Sequence, residues 1–162
     1  MSFSTLGHRK SPSTISSLPR SLNTPISDLW LASSNCITGC DSVATFDSST
    51  SSTFQNQSKE FSIQYGSGEA AGILGEDTIQ MAGFSVTNQV FGICDQVSEG
   101  LLNSPVSGLM GLAWNTIAST GATPFWQTLA ESGKWDSPLM AFQLTRWILL
   151  FPLHQYVVSD YE

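Results

Sequence analysis

Charge is what this chain has least of. Only 12% of its 162 residues are Asp, Glu, Lys or Arg, about half the usual share. A disordered polyelectrolyte, a coiled coil and a helical bundle all need many more charged residues, so these classes are excluded. Basic residues are scarcest, six against thirteen acidic ones for a net charge of −7. Without a Lys/Arg footprint for phosphate, nucleic acid is not an expected partner. Arg9, Lys10 and Arg20 fall within residues 1–22, which hold no acid, so the remainder carries −10. The two parts differ in kind.

Long apolar runs are also missing. The longest, Trp147–Leu153, is seven residues and contains Pro152, far short of a bilayer span, so no membrane is expected. The opening MSFSTLGHRKSP has no apolar stretch behind its basic residues, so no signal peptide is expected in this chain. Three cysteines are too few for a disulfide scaffold. Cys36-Ile-Thr-Gly-Cys40 fits either half a zinc site or a short disulfide loop. The only histidines are His8 and His154, near the ends, and no second Cys pair exists, so no metal is expected. A disulfide over so short a loop contributes only about 2 kcal/mol and goes with an oxidising compartment. Cys94, in the run Val90-Phe-Gly-Ile-Cys94, reads as a buried small hydrophobe.

What remains is apolar and hydroxylated: 41% hydrophobic residues, with Ser and Thr filling a quarter of the chain. The length suits one domain. Residues 1–27, with Pro12, Pro19 and Pro25, read as loop with at most one short strand. Asp28-Leu-Trp-Leu-Ala32 is a strand candidate, Asp47–Thr53 a polar loop, and Glu60-Phe-Ser-Ile-Gln-Tyr65 alternates at period two. Tyr65-Gly-Ser-Gly68 is a turn, and Glu69–Met81 resumes extended character to complete a hairpin. Phe84–Val86 and Val90–Cys94 are predicted as separate strands punctuated by Gly83 and Asn88. Ser107–Ala113 reads as a buried strand and Leu139–Leu144 as another. One helix is predicted over Pro124–Ser132, with Thr123 as N-cap, Gly133 as its stop, and Phe125, Leu129 and Trp126 facing inward. Many short strands with one helix make an all-β barrel or sandwich.

The order of these segments resembles the amino-terminal lobe of pepsin-like aspartic proteases, with a flavour closest to secreted fungal members. The resemblance rests on Ser27–Cys36 (SDLWLASSNC), Phe46–Phe54 (FDSSTSSTF), Ile63–Gly68 (IQYGSG), Gly72–Thr78 (GILGEDT), Asn88–Gly92 (NQVFG), Ser107–Ala113 (SGLMGLA) and Ala122–Trp126 (ATPFW), in the family's order. It implies one lobe at residues 23–146, incomplete at both ends, between a divergent Ser/Pro-rich segment 1–22 and a divergent tail 147–162. It also implies secretion, extended peptide or protein substrates, and no cofactor. Seven ordered matches weigh against the alternative that composition alone allows, a secreted β-sandwich with carbohydrate affinity.

The family acts through two aspartates, one from a D-[T/S]-G loop in each lobe, sharing a proton so that one serves as base and the other as acid. Counting back from Trp30 places the family's first Asp on Asn23, its Gly on Pro25 and a Ser on Ile26. Asn23 carries an amide that cannot exchange the shared proton. Pro25 lacks a backbone N–H. Asp41, Asp47, Asp77 and Asp136 are each followed by Ser or Thr but never then by Gly, so an inactive lobe is expected. Tyr65, Gly66, Ser67 and Gly68 match the flap that closes over bound peptide, and Trp30 matches the Trp that hydrogen-bonds that Tyr. Val106 and Leu109 match positions lining an apolar specificity pocket, though simple core packing explains them as well. Cys36 and Cys40 match the family's small disulfide loop. The apolar runs Val90–Ile93, Leu109–Ala113 and Met140–Leu144 are expected to lack covering partners and to favour aggregation.

On this reading Cys36 and Cys40 are joined and Cys94 is free. Alkylation without reduction should label one cysteine per chain after denaturation. Labelling of three in oxidised protein would remove the disulfide.

Overall fold

Phe61 and Ile63 are buried while Ser62 and Gln64 are exposed, so the period-two pattern lays one face of an extended segment against a core. The computed structural model describes residues 21–23, 26–135, 137, 139 and 140. Its strands are β1 (Ser21–Asn23), β2 (Leu29–Ala32), β3 (Gln55–Tyr65), β4 (Gly68–Met81), β5 (Phe84–Val97) and β6 (Gly108–Gly111), with one α-helix, α1 (Phe125–Glu131), and short 3-10 turns at Ser48–Thr50 and Asn115–Ile117. The strands form a single sheet in the order β1-β6-β2-β5-β4-β3, the mainly β architecture expected.

Strands β3, β4 and β5 form an antiparallel meander. The other half is non-local. Strand β6 lies between β1 and β2, parallel to the first and antiparallel to the second, and β2 runs parallel to β5. The segment joining β1 to β2 therefore passes the end of β6. Gly111 is what permits this, since a Cβ there would collide with the backbone of Ile26 and Ser27. The crossing is tied by Gly111 N–H to the Asp28 carbonyl (2.9 Å) and Ala113 N–H to the Ile26 carbonyl (2.9 Å). Ser27 Oγ donates to the Trp114 carbonyl at 2.5 Å. The Asp28 carboxylate is buried and accepts Ser119 N–H at 3.0 Å and Thr120 N–H at 2.8 Å, which compensates its desolvation.

Each face of the sheet carries an apolar layer. Leu29, Leu31, Ile79, Phe91, Ile93 and Met110 pack with Phe46 and with Phe125 and Leu129 of α1. Trp30, Ala32, Phe61, Leu74, Cys94 and Leu109 form the opposite layer. Phe91, Ile93, Leu109 and Met110 are thus covered, contrary to the expectation for their runs, because α1 and Phe46 pack on one face while on the other Leu109 lies in a cluster with Phe61, Ile63 and Leu102.

Three sequence expectations need correction. The two strands expected over 84–94 are one continuous β5. Asn88 does not end it: Asn88 takes up φ 57° at a bulge where the β4–β5 register shifts between Asp77 and Ile79. The N-cap of α1 is Pro124 rather than Thr123. Pro124 is itself extended, at φ −58° and ψ 149°, and its carbonyl accepts the first helical N–H, from Thr128 at 3.0 Å. Trp126 is only half-buried, whereas Phe125, Gln127 and Leu129 face inward. The strand expected over 139–144 lies beyond the described residues from 141 onward, and residues 139 and 140 are irregular.

Replacing Asp28 with Ala leaves two backbone donors beside a buried crossing. Thr120 is buried whereas Ser119 is exposed and its N–H can turn to water, so at about 1–3 kcal/mol per unsatisfied group Asp28→Ala is expected to destabilise by about 1–3 kcal/mol. Urea unfolding monitored by tryptophan fluorescence checks this, and an unchanged midpoint would contradict the anchoring role.

Candidate functional site

Trp30 stands in the middle of β2, fully buried on the face opposite α1. A buried indole N–H needs an acceptor, and Trp30 Nε1 donates to the Tyr65 hydroxyl at 2.7 Å. Tyr65 is the last residue of β3, half-buried, and packs on the Trp30 layer. Burial is the main influence on its phenol and pushes its pKa up to about 12; the Trp30 hydrogen bond opposes this, and the nearby Cys94 and Asp28 add to it.

Gly66 and Ser67 form the exposed turn between β3 and β4. Gly68 returns the chain at φ 145°, where a Cβ would sit 2.6 Å from the Ser98 Cβ. Beside it Glu69 N–H donates to Ser98 Oγ (2.9 Å) and Ser98 N–H to the Glu69 carbonyl (2.9 Å). The hairpin is therefore tied to the end of β5 directly beside its exposed two-residue turn.

Leu109 pairs in register with Trp30 across β2 and β6, and is buried in the same layer, with Val106 partly buried against it. Ile26 and Leu101 border the layer too. Asn23 pairs through its backbone with Gly111, two residues along β6 from Leu109. Leu109 thus stands level with Ser21 on one side and Trp30 on the other, with Asn23 two residues further along β1, and Tyr65 reaches the Trp30 layer from the hairpin.

Cys36 and Cys40 are joined to one another, which removes the half-zinc reading, and Cys94 is a free, buried thiol whose pKa burial pushes up. Among the described residues no three His, Cys, Asp or Glu side chains converge as a metal site. The disulfide loop is pinned to β5 by Ile37 N–H to the Asp95 carbonyl (2.8 Å) and Val97 N–H to the Thr38 carbonyl (3.1 Å).

Sequence reasoning missed Asp28 and Ser98. For Asp28 the signal was available, because a carboxylate entering the run Leu-Trp-Leu has to find donors when that run is buried. Ser98 carries no local signal, since its partners lie 29 residues away.

This mainly β lobe, with a tyrosine-tipped hairpin bonded to a buried tryptophan, belongs to the eukaryotic aspartyl protease family, whose model matches residues 19–148. Among individual relatives it is similar to Major aspartyl peptidase 1 of Cryptococcus neoformans var. grubii, 57% identical over 122 residues, covering 75% of this chain and 25% of that protein. It is 38% identical over 125 residues to pepsin A of Sus scrofa, covering 76% of this chain and 32% of the pepsin. With Aspartic protease 6 of Caenorhabditis elegans the identity is 38% over 128 residues, covering 76% and 33%. The chain thus spans a quarter to a third of the length of these curated relatives. No helix among the described residues is long and apolar enough to cross a membrane.

Tyr65→Phe removes the acceptor of a buried N–H and is expected to cost about 1–3 kcal/mol. The variant also separates a pH effect. In the fold Tyr65 keeps its proton to about pH 12, whereas an unfolded tyrosine releases it near pH ~10. The folded state therefore binds more protons between these values. This contribution is complete below about pH 10 and lost as pH rises toward 12. Denaturation midpoints of the two forms should converge over that window, and parallel curves would contradict the assignment.

Proposed function

We propose that this chain forms the hairpin-bearing half of the peptide cleft of a secreted aspartic endopeptidase, and that by itself it holds an extended peptide without cleaving it. The domain reading is a lobe over residues 23–146 between segments 1–22 and 147–162. The observation that carries the proposal is the Trp30–Tyr65 hydrogen bond at 2.7 Å. It fixes a tyrosine at the root of an exposed hairpin turn, beside an apolar layer that includes Val106 and Leu109. Extended peptides suit such a site: backbone groups can pair with the hairpin while alternate side chains enter apolar pockets.

Cleavage needs more than the cleft. One carboxylate must take a proton from water as it attacks the peptide carbonyl, and a second must give a proton to the leaving amine. Asn23 stands where the resemblance puts the first carboxylate, and its amide neither accepts nor releases that proton. Ile26 lies against the Trp30 layer and offers no hydroxyl at the crossing. No D-[T/S]-G triplet occurs in the sequence. A second reading, a non-catalytic peptide-binding module, shares the same cleft and is favoured by the same amide at position 23. The two readings differ in whether the rest of a longer protein supplies carboxylates. The disulfide and the family likeness support an extracellular location.

An unfolded protein substrate at acid pH should stay intact with this chain, and Asn23→Asp alone should restore nothing because a partner carboxylate is still missing. A statine-containing peptide is nevertheless expected to bind, read by tryptophan fluorescence. Tyr65→Ala should weaken that binding roughly tenfold, about 1.4 kcal/mol. Turnover that a statine inhibitor abolishes would overturn the non-cleaving reading, and equal affinity in Tyr65→Ala would overturn the hairpin's role.

A further inference from the structure

The end of β3 remote from Tyr65 carries a feature that the cleft does not use. Strand β3 is the last in the sheet order, so one edge is open among the described residues. Its first residues include Asn56-Gln57-Ser58, an Asn-X-Ser triplet without proline at its centre, with all three residues exposed. Here the β3–β4 pairing breaks register between Asn56, opposite Gly75, and Glu60, opposite Ile73. The bulge lifts residues 57–59 off the ladder, with Ser58 at φ 52°. Ser58 N–H donates to Asn56 Oδ1 at 2.6 Å, and the Ser58 hydroxyl lies 3.5 Å from the same oxygen. The Asn56 carboxamide is thereby held in a tight turn beside the serine, its oxygen engaged and its Nδ2 unpaired among the described residues.

We propose that Asn56 is an N-glycosylation site. The triplet is the acceptor sequence for N-linked sugar, and its donor would be an oligosaccharide carried on a lipid diphosphate. Asn56 Nδ2 forms a bond to the anomeric carbon of the sugar as the carbon–oxygen bond to the diphosphate breaks. The lipid diphosphate departs with the electron pair, and the proton lost from Nδ2 passes to a base of the transferring enzyme. Three features fit this better than chance occurrence of a triplet. The acceptor is exposed rather than folded into a core. The Cys36–Cys40 bond belongs to a chain that meets an oxidising compartment, as secretory proteins do. Asn56 also lies opposite Gly75, seven residues along β4 from the Gly68 that pairs with Tyr65, roughly 23 Å at about 3.3 Å per residue, so a bulky hydrated group there leaves the hairpin tip free. At that position it would stand on the open edge, where an unmodified strand invites pairing with another sheet.

The test is a peptide map of the full-length protein from cells that export it, with and without a peptide-N-glycosidase. The expected result is a hexose-rich adduct on the peptide containing Asn56, removed by the enzyme with conversion of that Asn to Asp. Asn56→Gln and Ser58→Ala should both lose the adduct, whereas Ser58→Thr should retain it. A bare Asn56 in chains whose Cys36–Cys40 bond has formed would overturn the proposal. So would a chain recovered bare with both cysteines reduced. If the variants are not exported, the map of the unaltered protein decides alone.

Discussion

The fold depends on a crossing. Strands β1 and β2 are neighbours in sequence but not in the sheet, because β6 occupies the space between them. For that to happen the connecting backbone must press on the end of β6, and only a residue without a Cβ leaves room at Gly111. The buried Asp28 holds the crossing from the other side by accepting two backbone N–H groups from Ser119 and Thr120. Loop 112–120, β6 and the entry to β2 are locked together by a carboxylate that pairs with backbone dipoles rather than with a cation.

From this arrangement follows the division of labour between the two faces. Successive residues of β2 alternate, Leu29 and Leu31 toward α1 and Trp30 and Ala32 away from it. The α1 face carries the larger share of phenylalanines, with Phe46 edge-on to both Phe54 and Phe91 at centroid distances of 6.0 and 5.6 Å, an arrangement aromatic quadrupoles favour. The opposite face includes the hydrogen-bonded tryptophan, the free thiol of Cys94 and the tyrosine of the hairpin. Both faces are packed, and the hydrogen-bonding and thiol side chains lie on the face opposite α1.

Much of this was legible in the sequence where the signal is local. The hairpin was visible because period-two alternation over Glu60–Tyr65 meets a Gly-Ser-Gly turn, and both features act over a few residues. Asn88 misled because asparagine tolerates a left-handed backbone in turns and in bulges alike, and only pairing with β4 distinguishes the two. The helix is legible, but its cap lies one residue later, because Pro124 is itself extended and its carbonyl takes the first helical N–H. The parallel pairing of Ser21 with Leu109 has no local signal at all. The bond between Trp30 and Tyr65, 35 residues apart, was readable only through the family resemblance, because spacing alone does not say that two aromatics meet.

The interleaving of β1, β6 and β2 also dictates an order of events in time. Strands β3, β4 and β5 can zip together from neighbouring residues, with loop closures short enough to be fast. Strand β2 cannot complete its pairing until β6 has left the ribosome nearly eighty residues later, and β1 must wait for the same strand. Throughout that interval the Leu29–Ala32 segment, entirely buried in the finished lobe, is without half of its partners. The newborn chain therefore passes through a stage at which an apolar strand lacks its neighbour on one side, and neither β1 nor β2 can seat beside β6 until β6 has been made.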